Sequence, residues 1–375
     1  MKNVAFLTGT RADYGKLKGL IKVLNVDVNY KVSILVTGMH LLPQYGSTVN
    51  EILSDDLGEI HLLPNQHGEQ LMEISVARTI EQLSSFFDTN PVDLLIVHGD
   101  RLEALAGSLT GLLRNIAVGH IEGGEISGTV DGILRHSVSK LSHIHFVANN
   151  EAATRIRQLG ESPQSIHVIG SPDIDIMFSD NLPQLRDVVD RYCIPFKEFA
   201  IAIFHPVTNE IESMRDQAVQ FANALIESGR NFILIKSNND LGSEVINSVF
   251  NSELNTINIL KLPSMRFEFF LTLLKNAKFI VGNSSAGIRE APYYGVPTIN
   301  VGSRQNGRSL DEFIINVPTL TTLILEGMEK AERSKHEPRF NYGDGFSAFK
   351  FKEILDNFTN WPPNIAKEFV DFEEN

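Results

Sequence analysis

The sequence predicts an α/β protein of two Rossmann-like domains facing a central cleft. Three observations predict it. Short apolar runs alternate with helical segments along most of the chain, the pattern of βαβ units around a parallel sheet. Most of these runs end in a burst of Gly, His or charged residues, where a parallel sheet binds its ligands. The chain has 375 residues, more than one core usually holds.

The first run, Val4–Thr8, feeds Gly9-Thr-Arg-Ala-Asp-Tyr-Gly-Lys16. A buried strand, a Gly-containing loop and a helix make a nucleotide-type turn, although neither GxGxxG nor a Walker lysine is present. Arg11 and Lys16 fall near the helix start, where they meet an anionic group or form a solvated first turn. Lys31–Gly38 is the second strand, Leu71–Phe87 has helical spacing, and Leu94–His98 is the next strand. The helix Leu102–Leu113 is apolar on most faces, with Glu103 its only charge, so it should be largely buried. Ile116–His120, Ile144–Ala148 and Ile166–Ile169 complete the first set. These place an N-terminal domain at 1–178.

A second series occupies 179–355. Its strands are Phe199–Phe204, Asn231–Ile235, Ile257–Leu260, Phe279–Val281 and Pro297–Val301. Phe349–Asn375 has helical character on either side of Trp361, and the tail, 356–375, is placed to pack back on the first domain.

Composition narrows the function. A net charge of −13 argues against nucleic-acid and membrane-surface binding. One cysteine, Cys193, excludes an intrachain disulfide and fits a reducing compartment. MKNVAFLTGTR reads as a strand rather than a signal peptide. No apolar stretch approaches the ~20 residues of a membrane helix. A cytoplasmic protein is expected.

Chemistry concentrates between Leu94 and Asn149. Asp100, Glu122 and Asp131 lie at or just beyond strand ends. Carboxylates converging in one place divide acid and base roles; the alternative is helix capping or pairing with Arg101 or Arg135. His98, His120, His136, His143 and His145 invite a metal, and His143 and His145 share a strand face. Hydrogen-bonded structural histidines are the plainer account, and no metal is expected. Gly282-Asn-Ser-Ser-Ala-Gly287 joins a strand to a helix and suits a diphosphate, with Ser284 and Ser285 as donors and Glu290 placed for a ribose diol. A helix cap with nothing bound is the alternative. His205 ends the first strand of the second domain. Arg11, Lys16, Arg101, His205 and Arg304 are the basic groups available to an anion.

TGTRADYGKL, VTGMHL, HGDRLEALA, HIEGGEISGTVD, RHSVSKLSHIHFVAN, GSPDID, FHPVT, GNSSAGIREAP and the GSRQ-x-GR run resemble the hydrolysing UDP-N-acetylglucosamine 2-epimerases of bacterial sialic acid biosynthesis. The likeness runs from Val4 to about Gly345. It implies the glycosyltransferase-B fold, no cofactor, and a homodimer or homotetramer. It further implies conversion of UDP-N-acetylglucosamine to UDP and N-acetylmannosamine, by anti elimination to 2-acetamidoglucal and then hydration. Asp100, Glu122 and Asp131 would then move protons, in an order left open. His205 and Arg11 would stabilise the leaving group, Ser284 and Ser285 the diphosphate, Glu290 the ribose, and Asn238 and Arg304 other parts of UDP. Two departures stand out. Asp131-Gly-Ile-Leu-Arg135 lacks the second acidic residue common after this aspartate, and Lys236-Ser237 replaces an aromatic–Pro pair. A UDP-2,4-diacetamido-2,4,6-trideoxyglucose substrate, a non-hydrolysing epimerase, an acceptor-dependent glycosyltransferase and a UDP-sugar-binding regulator are the competing expectations.

Overall fold

Alternating apolar and polar segments fold into two separate parallel sheets. The computed structural model describes all residues except 44–45, 66–70, 127–129, 180–181, 208–209, 238–241, 264, 306–313, 335, 362 and 372–375. Met1–Glu125, Val130–Phe178 and Tyr342–Asn375 make one unit, and Ser179–Asn341, with Ile126–Thr129, the other.

In the first unit the elements are β1 (Lys2–Thr8), α1 (Arg11–Asn25), β2 (Tyr30–Val36), α2 (Val49–Asp55), β3 (Glu59–Leu62), α3 (Met72–Phe87), β4 (Leu94–His98), α4 (Leu102–Leu113), β5 (Ala117–Ile121), α5 (Val130–Leu141), β6 (Ile144–Val147), α6 (Asn150–Gln158), β7 (Ile166–Val168) and α7 (Pro172–Met177). Their sheet order is β3-β2-β1-β4-β5-β6-β7, and the pairings are parallel. The order reverses between β1 and β4, so the loops after these two strands diverge and leave a crevice at their carboxyl ends. Near-continuous apolar strands are what a sheet covered on both faces requires. Phe6, Ile34 and Ile96 pack on one face, and Leu7, Leu95 and Val97 on the other.

The second unit contains α8 (Leu185–Tyr192), β8 (Ala200–Ile203), α9 (Met214–Glu227), β9 (Phe232–Ile235), α10 (Ser243–Glu253), β10 (Ile259–Leu262), α11 (Phe267–Asn276), β11 (Ile280–Gly282), α12 (Ala286–Arg289), β12 (Thr298–Val301), β13 (Ile314–Val317) and α13 (Thr321–Arg333). The sheet order β10-β9-β8-β11-β12-β13 repeats the reversal, here between β8 and β11.

Several expectations need correction. β3 and β13 are edge strands that the sequence pattern did not single out; in β3, Glu59 and His61 interrupt the apolar signal. The third strand of the second unit lies two residues later than Ile257–Leu260, because Ile259, not the 92% exposed Ile257, pairs with Phe232. The chain also returns to the first unit at Tyr342, before residue 356. There α14 (Ser347–Asp356) buries Phe351 against Phe6 and Phe146, with ring centroids 6.3 and 4.9 Å away. The Asp175 carboxylate accepts from the Ser347 and Ala348 N–H groups, both at 2.8 Å, and so caps α14. Beyond Trp361 the described tail is not helical. Trp361 Nε1 donates to Asp93 at 2.9 Å, and Val370 N to the Gly160 carbonyl at 3.0 Å. Among the described residues, no helix is long and apolar enough to cross a membrane.

Candidate active site

In the first unit the reversal point carries a buried set of charges. β5 ends at Ile121, and Glu122 turns the chain with a φ of 60°. A left-handed backbone costs a non-glycine residue about 1–2 kcal/mol, so the side chain must be strongly held. It is. Glu122 is 2% exposed. Its Oε2 accepts from Lys16 Nζ at 3.0 Å and faces His98 Nε2 at 3.1 Å. Its Oε1 accepts from the Ser171 hydroxyl. Gly123 and Gly124 must follow, since a Cβ on Gly123 would sit 2.8 Å from His120 Nδ1 and one on Gly124 2.3 Å from the Ala152 carbonyl oxygen.

Around Glu122 the network spreads through three neighbouring strands. His98 Nδ1 faces Asp13 Oδ1 at 2.7 Å, and Asp13 Oδ2 accepts from Gly9 N at 3.0 Å. Lys16 also pairs with Asp173 at 2.7 Å. Burial works against a charged His98, but its contacts with Asp13 and Glu122 outweigh burial and raise its pKa to about 9. Arg135, on α5, donates to the Glu122 carbonyl at 2.9 Å and also to the Asp100 carboxylate. Asp100 is therefore oriented by a guanidinium, two residues beyond the strand that carries His98. Asp131 lies in the first turn of α5 and is partly exposed.

The second reversal point is built around Asn283, which is 1% exposed. Its Oδ1 accepts from His205 N at 2.6 Å and its Nδ2 donates to the His205 carbonyl at 2.8 Å. Its own carbonyl accepts from Gln305 Nε2 at 2.9 Å and Arg304 Nη1 at 3.3 Å. One residue, by its side chain and its carbonyl, thus ties together the loops after β8, β11 and β12. Gly282, at φ 134°, passes so close to β8 that a Cβ would lie 1.8 Å from the Ile203 carbonyl oxygen. Burial, with the Arg304 charge adding to it, lowers the His205 pKa to about 3, so the ring is neutral and can donate one hydrogen bond. Asn283→Ala should cost about 1–3 kcal/mol, because buried backbone groups of His205 lose their partners; chemical denaturation measures it.

The other expected site residues divide. Ser284 Oγ accepts from Ala286 N at 3.3 Å, and Ser285 stands at the N-cap position of α12 without a side-chain cap bond. α12 is a single turn, so Glu290 is its C-cap rather than a residue well inside a helix. Arg11 pairs with Glu51, its Nε 3.0 Å from Oε2. Arg101 is exposed and its Nη2 lies 3.7 Å from Met39 Sδ. Asn238 lies outside the described residues. His120, His143 and His145 each have a hydrogen-bond partner: the Gly99 carbonyl at 2.8 Å, Val118 N at 3.0 Å and Glu161 at 3.1 Å. Sequence reasoning gave no role to Asp13, Ser171 or Asp173. The signal for the last two was GSPDID, a polar Gly-containing burst after a strand.

A family model described as UDP-N-acetylglucosamine 2-epimerase matches residues 22–356. The chain is 44% identical to the UDP-N-acetylglucosamine 2-epimerase of Neisseria meningitidis serogroup B, over 99% of each chain. It is 33% identical to the UDP-N,N'-diacetylbacillosamine 2-epimerase (hydrolyzing) of Legionella pneumophila, over 95% of this chain and 96% of that one. The crystal structure of the Methanocaldococcus jannaschii UDP-GlcNAc 2-epimerase in complex with UDP-GlcNAc and UDP superposes with a TM-score of 0.81, at 19% identity, over 95% of this chain and 99% of that one. Two parallel-sheet units of glycosyltransferase-B type, with matching sequence over most of their length, place this chain in the UDP-N-acetylglucosamine 2-epimerase family.

Proposed function

We propose that the protein is a hydrolysing 2-epimerase, taking UDP-N-acetylglucosamine and water to N-acetylmannosamine and UDP. The observation that carries this reading is the pair of oriented carboxylates, Asp100 on Arg135 and Glu122 on Lys16 and His98, at one sheet reversal point. Proton removal from a weakly acidic carbon needs such a positioned base. In the elimination, the C2 proton passes to a carboxylate, the C1–O bond breaks and UDP leaves with the bonding pair. The product is 2-acetamidoglucal. Water then gives its oxygen to C1 while a proton reaches C2 from the opposite face, which inverts that centre. Asp100, Glu122 and Asp131 share these transfers. Arg11 and neutral His205 stabilise departing UDP, Ser284 and Ser285 hold its diphosphate, Glu290 its ribose, and Arg304, Lys16, Arg101 and Asn238 complete binding. The reaction uses no cofactor and belongs to the cytoplasm, at the first step of sialic acid formation. A homodimer or homotetramer is the expected assembly, covering exposed apolar residues such as Leu113 and Ile133.

Proton NMR with UDP-N-acetylglucosamine in heavy water tests this. UDP and N-acetylmannosamine bearing deuterium at C2 are expected. UDP-N-acetylmannosamine without net UDP release would make the enzyme non-hydrolysing. N-acetylglucosamine retaining its C2 proton would mean plain hydrolysis and remove the carboxylate roles. A second substrate, UDP-2,4-diacetamido-2,4,6-trideoxyglucose, is favoured by the resemblance to the Legionella enzyme and belongs in the same assay.

A further inference from the structure

We infer that His98 is a positioning residue, an imidazolium clamped between Asp13 and Glu122 that fixes the Glu122 carboxylate for reaction. Its catalytic part rests on the function proposed above. Both ring nitrogens face carboxylate oxygens, at 2.7 and 3.1 Å. A carboxylate only accepts hydrogen bonds. A neutral ring has one N–H, satisfies one contact and turns a lone pair toward the other anion. The doubly protonated ring satisfies both.

The surroundings retain that proton. Asp13 and Lys16 face the site from α1, Glu122 from the end of β5, Asp173 from α7, and Arg135 from α5 through Asp100 and the Glu122 carbonyl. Two carboxylates, Asp13 and Glu122, meet the ring itself, and Lys16 shares Glu122 Oε2 with it. His120, the nearby imidazole on β5, is kept neutral by burial. The raised pKa of His98 agrees.

The clamp also answers a mechanical need. Glu122 sits on left-handed backbone, a strained conformation that persists only where the surrounding contacts over-determine it. Through Asp13 and the Gly9 N–H, His98 ties the loop after β1 to the ends of β4 and β5, three adjacent strands. Loss of its proton removes one of these contacts and leaves two carboxylates near an uncharged ring.

The test uses the full-length protein with the His98→Gln and His98→Asn variants. Long-range proton–nitrogen NMR of the histidine rings should show one ring, absent from both variants, that is doubly protonated at pH 7.5 and titrates near pH 9. In turnover of UDP-N-acetylglucosamine, kcat should fall about tenfold or more in His98→Gln, as expected for disturbing an acid–base group. KM and UDP affinity should stay within about threefold, since only positioning is lost. The wild-type enzyme should lose activity as pH rises through about 9, and that decline should be missing from the variants. A neutral ring at pH 7.5 overturns the clamp. A doubly protonated ring together with wild-type kcat and an unchanged alkaline decline in the variants overturns the positioning role. Wild-type protein that binds UDP without turning over either sugar substrate removes the proposed reaction instead; the ring spectrum still decides whether the clamp exists.

Discussion

Glu122→Gln is expected to lower kcat for UDP-N-acetylglucosamine by about 10²–10⁴-fold, the range for a positioned acid–base group. The substitution keeps the volume and inverts the hydrogen bonding. Glu122 receives Lys16 and His98 on one oxygen and Ser171 on the other. An amide offers one acceptor oxygen and turns its NH₂ toward a group that also donates. It further leaves two partly buried cations without the buried anion they share, a loss that also costs stability. Activity must therefore be referred to the folded fraction, measured by circular dichroism on the same sample. UDP affinity should change less than kcat, because Ser284 and Ser285, the proposed diphosphate donors, belong to the other sheet. Steady-state UDP release decides it. A folded variant within threefold of wild type would remove Glu122 from the chemistry.

Phe351→Ala should cost about 3–5 kcal/mol, as for other large aromatic deletions from a core. Phe351 is fully buried beside Phe6 of β1 and Phe146 of β6. It sits near the end of the chain, yet its partners lie on interior strands of the N-terminal sheet. Urea denaturation measures the loss. A cost below about 1 kcal/mol, the level of a surface change, would show that α14 is an appendage rather than part of that core.

Much of this was legible in the chain. The buried helix Leu102–Leu113 spans the residues its spacing predicts, because a nearly uncharged twelve-residue run has few other fates. Gly282 and the Gly123-Gly124 pair were visible at strand ends, but only the structure shows what a Cβ there would strike. Asp100 and Glu122 were visible as polar residues at the ends of apolar runs. Less legible were β3 and β13, whose edge positions place little demand on apolar pattern, and the partners of the site residues.

Sequence alone determined the class of fold, the strands of the sheet interiors and the residue types at their carboxyl ends. Those depend on local period and composition, which a linear pattern carries. Only the tertiary structure decided strand order, and with it which ends lie side by side. β1 and β4 are neighbours although β2 and β3 intervene in sequence, and this adjacency brings His98 to Asp13 and Glu122 to Lys16. Ion pairing across 85 and 106 residues has no local signature, because the energy that selects it arises when two strands pair and their loops are buried together.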